Sequence, residues 1–370
     1  MTSPSAIDMA ARLAKSGVIR SDAWRRAVER VPRHVLVPRF YERQNGRFEL
    51  IDGANEEQRE RWLHAVYDPF ESLVTEYDPV TMYPTSSATM PYIVLSLLEA
   101  LDAEPGHRVL DVGTGSGYSA ALLCERVGFE NVTTIDIGVE VVQLARERLR
   151  QAGYAPTVVC DDAYHGHAPN APFDRIVSTV GLDHVPNSWL TQTRPGGVIV
   201  ATLPETTVRL VRRADGSAEG RFIAGFQFMW LRGHAPAHEP DQVLERLVGA
   251  GGETRSTDVD LEALLLGREL PAFWSLGKLL VMPRDVVLAL DGTRKAYVDA
   301  RDRSWMVLDP ERGTVTQGGP RRIWDALERL YDKLEALGRP ASQRFGLTVH
   351  SDGSHVVWLD SPDSEHRWTL

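Results

Sequence analysis

The sequence predicts an α/β protein: a doubly wound parallel sheet, preceded by helices and followed by an α+β extension. Three observations carry this. Between residues 108 and 203, short apolar, β-branched-rich runs alternate with helical segments of about a dozen residues, the pattern of βαβ units buried on both faces. The first such strand feeds a helix through a glycine-rich turn, Gly113-Thr114-Gly115-Ser116-Gly117. After residue 204 the alternation stops and hairpin and helix signals mix. Right-handed crossovers make a sheet of this kind doubly wound. The expected divisions are a helical and loop segment over 1–80, the core over 81–220 and the extension over 221–370, the last boundary falling somewhere between 204 and 240.

Each element has its own signal. Ser5 caps a helix over 6–16 that Gly17 ends; Ser21 caps a second over 22–30 that Pro32 ends. Residues 31–38, Val-Pro-Arg-His-Val-Leu-Val-Pro, read as extended, because each proline disfavours helix in the residue before it. Residues 45–61 are polar and read as a loop with one helical turn. Over 91–101, Tyr92, Leu95, Leu98 and Glu99 are spaced at three and four, a helix. The core then runs strand 108–112, helix 118–127, strand 132–136, helix 139–151, strand 157–160 and strands 173–179 and 197–203. Beyond it, 208–212 and 221–230 read as antiparallel strands around Asp215-Gly216, and 242–247 and 261–266 as helices. Residues 320–337 form the clearest helix of this half, with Trp324, Leu327, Leu330, Tyr331 and Leu334 on one stripe and Gly338 and Pro340 ending it. A last hairpin joins 344–350 to 355–360 through Ser351-Asp352-Gly353.

Composition narrows the function. With 43% apolar and 25% charged residues in 370, the chain is neither disordered nor fibrous. Lys plus Arg number 41 and Asp plus Glu 51, a net charge of −10 that repels phosphate backbones and anionic lipid, and no basic stripe interleaved with aromatics offsets it. Nucleic acid and membrane are therefore not expected partners. Cys124 and Cys160 make no disulfide framework and both lie in apolar runs that read as buried. The first residues lack a basic start followed by an apolar stretch, and no apolar run reaches the ~18 residues of a membrane span, so a cytoplasmic protein is expected. His165 and His167 form a pair with no third ligand at metal spacing, so no metal is expected there. Trp24, Trp62, Trp189 and Trp230 read as core, and Arg146, Glu147, Arg148 and Arg150 as a solvated helix face.

A parallel sheet binds ligands beyond the carboxyl ends of its strands, where Gly113, Gly115 and Gly117 sit. Glycine permits positive φ and lets a ligand lie against the backbone. The spacing is G-x-G-x-G followed by Tyr118, so the third glycine of the dinucleotide G-x-G-x-x-G is missing, and no Gly-Lys-Ser or Gly-Lys-Thr marks a P-loop. A nucleoside cofactor without pyrophosphate fits. Asp136 ends the second strand, where a carboxylate accepts both ribose hydroxyls. Asp161 and Asp162 follow the third strand, placed for an adenine amino group, and Asp111 precedes the turn, placed for a cationic amino group or for the loop's amides. Adenine, ribose and an amino-acid tail without phosphate describe S-adenosylmethionine. Each acid alone serves equally well as a helix cap; the argument lies in their combination with the glycines. The candidate cofactor-contacting set is Asp111, Gly113, Thr114, Gly115, Gly117, Tyr118, Asp136, Ile137, Asp161, Asp162 and Ala163.

The stretch Val109-Leu110-Asp111-Val112-Gly113-Thr114-Gly115-Ser116-Gly117-Tyr118 resembles motif I of the protein L-isoaspartate O-methyltransferases. Residues 31–38 resemble that family's upstream segment, and Ala65-Val66-Tyr67-Asp68 its next marker. Thr85-Ser86-Ser87 resembles its Thr-Ile-Ser active-site turn, and Ala171-Pro172-Phe173-Asp174-Arg175-Ile176 and Arg194-Pro195-Gly196-Gly197 its later motifs. The resemblance covers residues 20–205. The remainder, with Ser351-Asp352-Gly353 and Val357-Trp358-Leu359-Asp360, resembles a branch encoded with peptide-maturation enzymes such as ATP-grasp ligases or lanthipeptide synthetases. The resemblance implies a Rossmann-like, S-adenosylmethionine-dependent carboxyl O-methyltransferase. Its substrate would be a peptide or protein bearing aspartate or isoaspartate, the C-terminal half would recognise the peptide, and peptide-modifying enzymes would be partners. In that branch the acceptor is a modified ribosomal precursor and the ester collapses to aspartimide or isoaspartate.

The sequence departs from the family pattern at three places. Ala88-Thr89-Met90 intervene before Pro91-Tyr92, the ribose acid is Asp136 where glutamate is common, and Cys160-Asp161-Asp162-Ala163 replaces Gly-Asp-Gly. Asp162 is the favoured equivalent because Ala163 is small. An aspartyl or isoaspartyl carboxylate has a pKa of ~4 and is already ionised, so alignment and water exclusion replace a general base. Ser87, with Ser86 and Thr85, is the expected neutral donor set for that carboxylate; capping of the helix that starts near Pro91 is the competing role for these hydroxyls. A protein-repair enzyme, and a non-catalytic module binding S-adenosylmethionine and a leader peptide, are the alternative functions.

Overall fold

The computed structural model describes residues 4–44, 46–233, 241–249, 251–267, 270, 272–290 and 293–370. The chain divides into two compact units: Met1–Val180, Pro186–Ala201 and Arg209–Ala218 make the first, and Gly181–Val185, Thr202–Val208 and Glu219–Leu370 the second.

Unit 1 opens with α1 (Pro4–Lys15), α2 (Asp22–Arg30) and α3 (Arg33–Leu36). Ser21 caps α2 as expected, its side chain accepting from the Trp24 amide. The extended reading of 31–38 is overturned over its middle. The prolines keep Val31 and Val37 out of the helical region, but Arg33–Leu36 between them close one turn around a fully buried Arg33. The loop expected over 45–61 is instead largely built: β1 (Arg39–Gln44) and β2 (Arg47–Asp52) pair as an antiparallel hairpin, and α4 (Arg59–Val66) follows. Their apolar alternation is faint because mainly Phe40 and Ile51 are buried, so most positions stay polar. With β3 (Leu73–Asp78) and β4 (Tyr83–Ala88) they form a four-stranded sheet in the order β2-β1-β3-β4.

Then α5 (Pro91–Leu101), β5 (Val109–Val112), α6 (Tyr118–Val127), β6 (Val132–Asp136), α7 (Val139–Gln151) and β7 (Thr157–Cys160) follow closely on the expected bounds. β5 is buried at all four positions and α6 at eight of ten, which is what apolar residues all round an element demand. β8 (Phe173–Gly181), α8 (Asn187–Gln192), β9 (Thr193–Leu203) and β10 (Thr206–Arg212) complete the run, with β8, β9 and β10 each giving residues to both units. The strand order is β9-β8-β5-β6-β7, with β5 parallel to both β6 and β8 and β6 parallel to β7. β7 ends the order, so its burial is partial and Cys160 is exposed rather than buried; Cys124 is buried as expected. Trp24, Trp62 and Trp189 are core, whereas Trp230 is only half-buried.

Unit 2 contains β11 (Ala218–Ala224), α9 (Asp241–Gly249), β12 (Glu253–Ser256), α10 (Leu261–Leu265) and α11 (Phe273–Leu280). The strand expected over 221–230 therefore starts earlier and stops at Ala224. β13 (Asp285–Ala289), β14 (Lys295–Asp299), β15 (Trp305–Asp309) and β16 (Thr314–Gly318) make an antiparallel sheet with β12, in the order β12-β16-β15-β14-β13. This sheet has no counterpart in the sequence reading. β15 is buried throughout, with Trp305 and Val307 in a cluster that Leu247 and Val248 of α9 join, so period-two alternation is absent. α12 (Ile323–Ala336) buries the expected stripe of Trp324, Leu327, Leu330 and Leu334. β17 (Phe345–Val349) and β18 (His355–Leu359) form the expected hairpin, extended by β19 (Arg367–Thr369).

Candidate active site

In unit 1 the parallel register places Val112 beside Ile135 and Asp136 beside Cys160, so the carboxyl ends of β5, β6 and β7 are neighbours. Gly113–Gly117, Asp136-Ile137 and Asp161–Ala163 consequently share one end of the sheet. Sequence spacing had proposed this set, and the register brings it together.

The three glycines have φ of +93°, +49° and +86°, but they do different work. A Cβ on Gly113 would stand 2.8 Å from Thr179 Oγ1 and 2.9 Å from Val180 Cγ1 of β8; one on Gly117 would meet Leu149 of α7 at 3.1 Å. Those two allow the turn to pack against the protein's own elements. A Cβ on Gly115 would meet only backbone, in ordinary van der Waals contact: the Ser87 carbonyl at 3.4 Å and the Gly113 carbonyl at 4.0 Å. Of the three, only Gly115 has no side chain packed against it.

Asp111 lies beneath the turn, fully buried. Its Oδ2 accepts from Ser119 Oγ and Thr134 Oγ1, both at 2.9 Å, and its Oδ1 receives no hydrogen bond. The loop amides are thus not its partners. Burial pushes its carboxyl up to about 7, against the two hydroxyls that favour the charge. A buried carboxylate oxygen without a donor is the acceptor a cationic amino group would fill.

Asp136 is already engaged on both oxygens, accepting from the Gly115 amide at 3.2 Å and the Gly138 amide at 3.0 Å, so it fixes the glycine turn to the end of β6. Ile137 beside it is 37% exposed, an apolar surface fit for a flat base. Asp161 is exposed and its Oδ1 accepts from the Asp162 amide at 2.8 Å; Asp162 Oδ1 accepts from the Tyr164 amide at 2.9 Å. Ala163 is buried, its carbonyl accepting from Trp189 Nε1. Thr114 and Tyr118 are turned inward: Thr114 Oγ1 lies 2.8 Å from Thr134 Oγ1, and the Tyr118 ring is buried. A glycine turn, a buried acid with an unfilled oxygen beneath it and acids at the neighbouring strand ends fit an adenosyl amino acid.

Thr85-Ser86-Ser87, a turn by resemblance, lies instead in strand β4. The capping alternative also fails, because α5 starts at Pro91 with Met90 at its N-cap and no side-chain cap. Side chains alternate along a strand, so Ser86 faces away from Thr85 and Ser87. Ser86 is buried and its Oγ accepts from Thr75 Oγ1 at 3.0 Å, leaving it committed within the four-stranded sheet. Ser87 is half-buried, its carbonyl against Gly115, and among the described residues its hydroxyl has no hydrogen-bond partner.

Sequence reasoning assigned no role to Arg33. Its guanidinium is fully buried, with Nε donating to the Val66 carbonyl at 2.8 Å and Nη2 to the Thr89 carbonyl at 3.1 Å and the Ala88 carbonyl at 3.4 Å. It stacks 4.4 Å from the centre of the Tyr118 ring. One side chain thus ties the residues following Ser87 to the first residue of α6. An arginine between prolines in an apolar run was the only available signal.

His165 is 75% exposed on its side chain, 3.9 Å from Asp162, and His167 is half-buried. Among the described residues no group of three or more His, Cys, Asp or Glu side chains is placed to hold a metal ion, and no helix is long and apolar enough to cross a membrane.

Residues 48–232, half of the chain, match the family described as protein-L-isoaspartate(D-aspartate) O-methyltransferase. Protein-L-isoaspartate O-methyltransferase of Methanopyrus kandleri is 34% identical over 237 residues, covering 62% of this chain and 92% of the relative. The Hyperthermus butylicus protein of the same name is 30% identical over 236 residues, 60% of this chain and 86% of the relative. A solved protein-L-isoaspartate O-methyltransferase shares the fold at a TM-score of 0.56 and 21% identity, covering 96% of this chain and 99% of its own. The chain belongs to the protein-L-isoaspartate(D-aspartate) O-methyltransferase family and is an S-adenosylmethionine-dependent methyltransferase with a Rossmann-like core.

Proposed function

We propose that this chain methylates the carboxylate of an isoaspartyl or aspartyl residue in a peptide, and that Ser87 orients that carboxylate. The observation that carries the reading is the Ser87 hydroxyl, without a hydrogen-bond partner among the described residues, on a strand whose Ser87 carbonyl lies against Gly115 of the turn. Gly115 and the flanking backbone of Thr114, Gly117 and Tyr118 would hold the amino-acid tail with Asp111. Asp136 would take the ribose, and Ile137, Asp161, Asp162 and Ala163 the adenine. When bound, S-adenosylmethionine supplies a sulfonium methyl and leaves as the neutral thioether S-adenosylhomocysteine.

The acceptor needs no general base, since a carboxylate of pKa ~4 is ionised at neutral pH. Ser87, with Thr85 on the same strand face, offers neutral donors that fix one oxygen and leave the other nucleophilic; a cationic clamp would quench it. The carboxylate oxygen forms the new bond to the methyl carbon as the carbon–sulfur bond breaks. In the ester, the next backbone nitrogen attacks the carbonyl carbon, loses its proton and expels methanol, closing a succinimide.

The narrower proposal is that the acceptor is a modified ribosomal precursor peptide, with its modifying enzymes as partners. Ala88-Thr89-Met90, inserted directly after the proposed serine, support a changed acceptor. The C-terminal half does not by itself argue for it, because a solved isoaspartate methyltransferase shares the fold across 96% of this chain. The test is methylation of an isoaspartyl peptide and of a cyclised precursor by the native chain and by Ser87→Ala. Loss of one neutral hydrogen bond should lower kcat/KM about tenfold, with S-adenosylhomocysteine affinity preserved. Full activity of Ser87→Ala on both acceptors would refute the role of the serine, and activity on isoaspartyl peptides alone would assign repair.

A further inference from the structure

Unit 2 contains a cavity of about 200 Å³ that the methyl-transfer reading does not use. Gly181, at the carboxyl end of β8, lines it, together with Glu205, Phe228, Trp230, Lys278 and Asp285. Lys278 Nζ stands 2.8 Å from Glu205 Oε1 and 3.3 Å from Asp285 Oδ2. The lysine and aspartate side chains are 12% and 5% exposed. One ammonium between two carboxylates leaves the cavity with a net negative charge. Lys278 pairs with Asp285 Oδ2 at 3.3 Å without the alignment of a good hydrogen bond, so this buried acceptor is only half-served.

The arrangement is built and held. Glu205 occupies the turn between β9 and β10 with φ of +54°, a region non-glycine residues rarely adopt. Its carbonyl accepts from Ser275 Oγ at 2.8 Å, and its carboxylate from Lys278 and from Gln227 Nε2. Ser275 and Lys278 are three residues apart on α11, so one helix face clamps both ends of this residue. An entering anion would compete with two carboxylates for a lysine already shared. An entering cation would meet the half-served Asp285 oxygen and the aromatic side chains of Phe228 and Trp230 that line the cavity. Burial of Asp285, which raises its carboxyl to about 6, is relieved by such a cation.

We propose that this cavity is a specificity subsite for a basic side chain, lysine or arginine, of the acceptor peptide. The inference rests on the peptide-acceptor reading above. Its test compares isoaspartyl peptides carrying arginine or its uncharged isostere citrulline at each flanking position, with the native chain, Asp285→Asn and Glu205→Gln. In the native chain, kcat/KM should favour arginine about tenfold at one or two positions, and that ratio should fall to near one in both variants. A native chain indifferent to the charge at every position, or a preference that survives both substitutions, would overturn it. Because the methylation reading could fail separately, the same peptides with alanine at the acceptor position are titrated into the full chain by calorimetry. Tighter binding of the arginine peptide, lost in Asp285→Asn, sustains the subsite whether or not methyl transfer occurs; equal or absent binding of the two peptides overturns it.

Discussion

The buried acid beneath the glycine turn should make cofactor binding pH-dependent in a predictable sense. With its carboxyl raised to about 7 from an ordinary 3.8, Asp111 is largely protonated in the free protein at pH 5.5. A cationic amino group placed at its unfilled Oδ1 favours the ionised form, so binding releases a proton. The ionised fraction rises from about 0.03 at pH 5.5 to 0.5 at pH 7, and S-adenosylhomocysteine affinity should rise about fifteenfold over that interval. Above about pH 8 it should fall again as the ligand's α-amino group loses its proton.

Asp111→Asn should weaken binding and remove the rise below pH 7, leaving only the fall above 8. The stability linkage has a defined sign. The folded state holds this proton to a higher pH than the unfolded chain, so its contribution is complete below 3.8 and is lost as pH climbs through about 7. Ionised Asp111 therefore costs the free protein about 4 kcal/mol at pH 8. The introduced amide avoids that cost but leaves its N–H groups without acceptors, about 1–3 kcal/mol. The variant should be more stable than the native chain by about 1–3 kcal/mol at pH 8, and lose that advantage by pH 4. Isothermal titration across pH 5.5–8.5 and urea unfolding at both extremes check this; a native affinity flat from 5.5 to 7, or a variant with the native profile, would refute it.

Two further outcomes follow from the same end of the sheet. Gly113→Ala places a Cβ 2.8 Å from Thr179 Oγ1 at a φ of +93°, so β5 and β8 must part; S-adenosylhomocysteine affinity should drop more than about tenfold by calorimetry, and native affinity would show that the turn tolerates the shift. Arg33→Met strips the donors from the Val66, Ala88 and Thr89 carbonyls and should lower urea stability by about 3–5 kcal/mol, whereas a loss under 1 kcal/mol would mean water replaces the guanidinium.

How much was legible in the amino-acid order differs along the chain. The bounds of α6, β6, α7 and β7 match the sequence reading because there local propensity, burial and turn chemistry agree. The glycine turn and the acids at successive strand ends were legible for a related reason: the βαβ repeat dictates that strand ends fall on one side. Where burial is incomplete or total, the pattern fades. The β1–β2 hairpin is too exposed and β15 too enclosed to alternate, so both escaped notice.

The sequence by itself determined a parallel αβ core, an adenosyl-type turn and the family. Only the tertiary structure decided which groups are left with unmet chemistry. Ser86 and Ser87 are adjacent in the chain, but a strand sends them to opposite faces, one bonded to Thr75 and the other without a hydroxyl partner among the described residues. Asp111 and Asp136 look alike in the sequence, yet one is sealed beneath the turn with an empty oxygen and the other accepts from two backbone amides. Arg33 and the Glu205–Lys278–Asp285 cluster join residues tens of positions apart. Hydrogen-bond satisfaction is a property of three-dimensional neighbours, and no linear spacing encodes it.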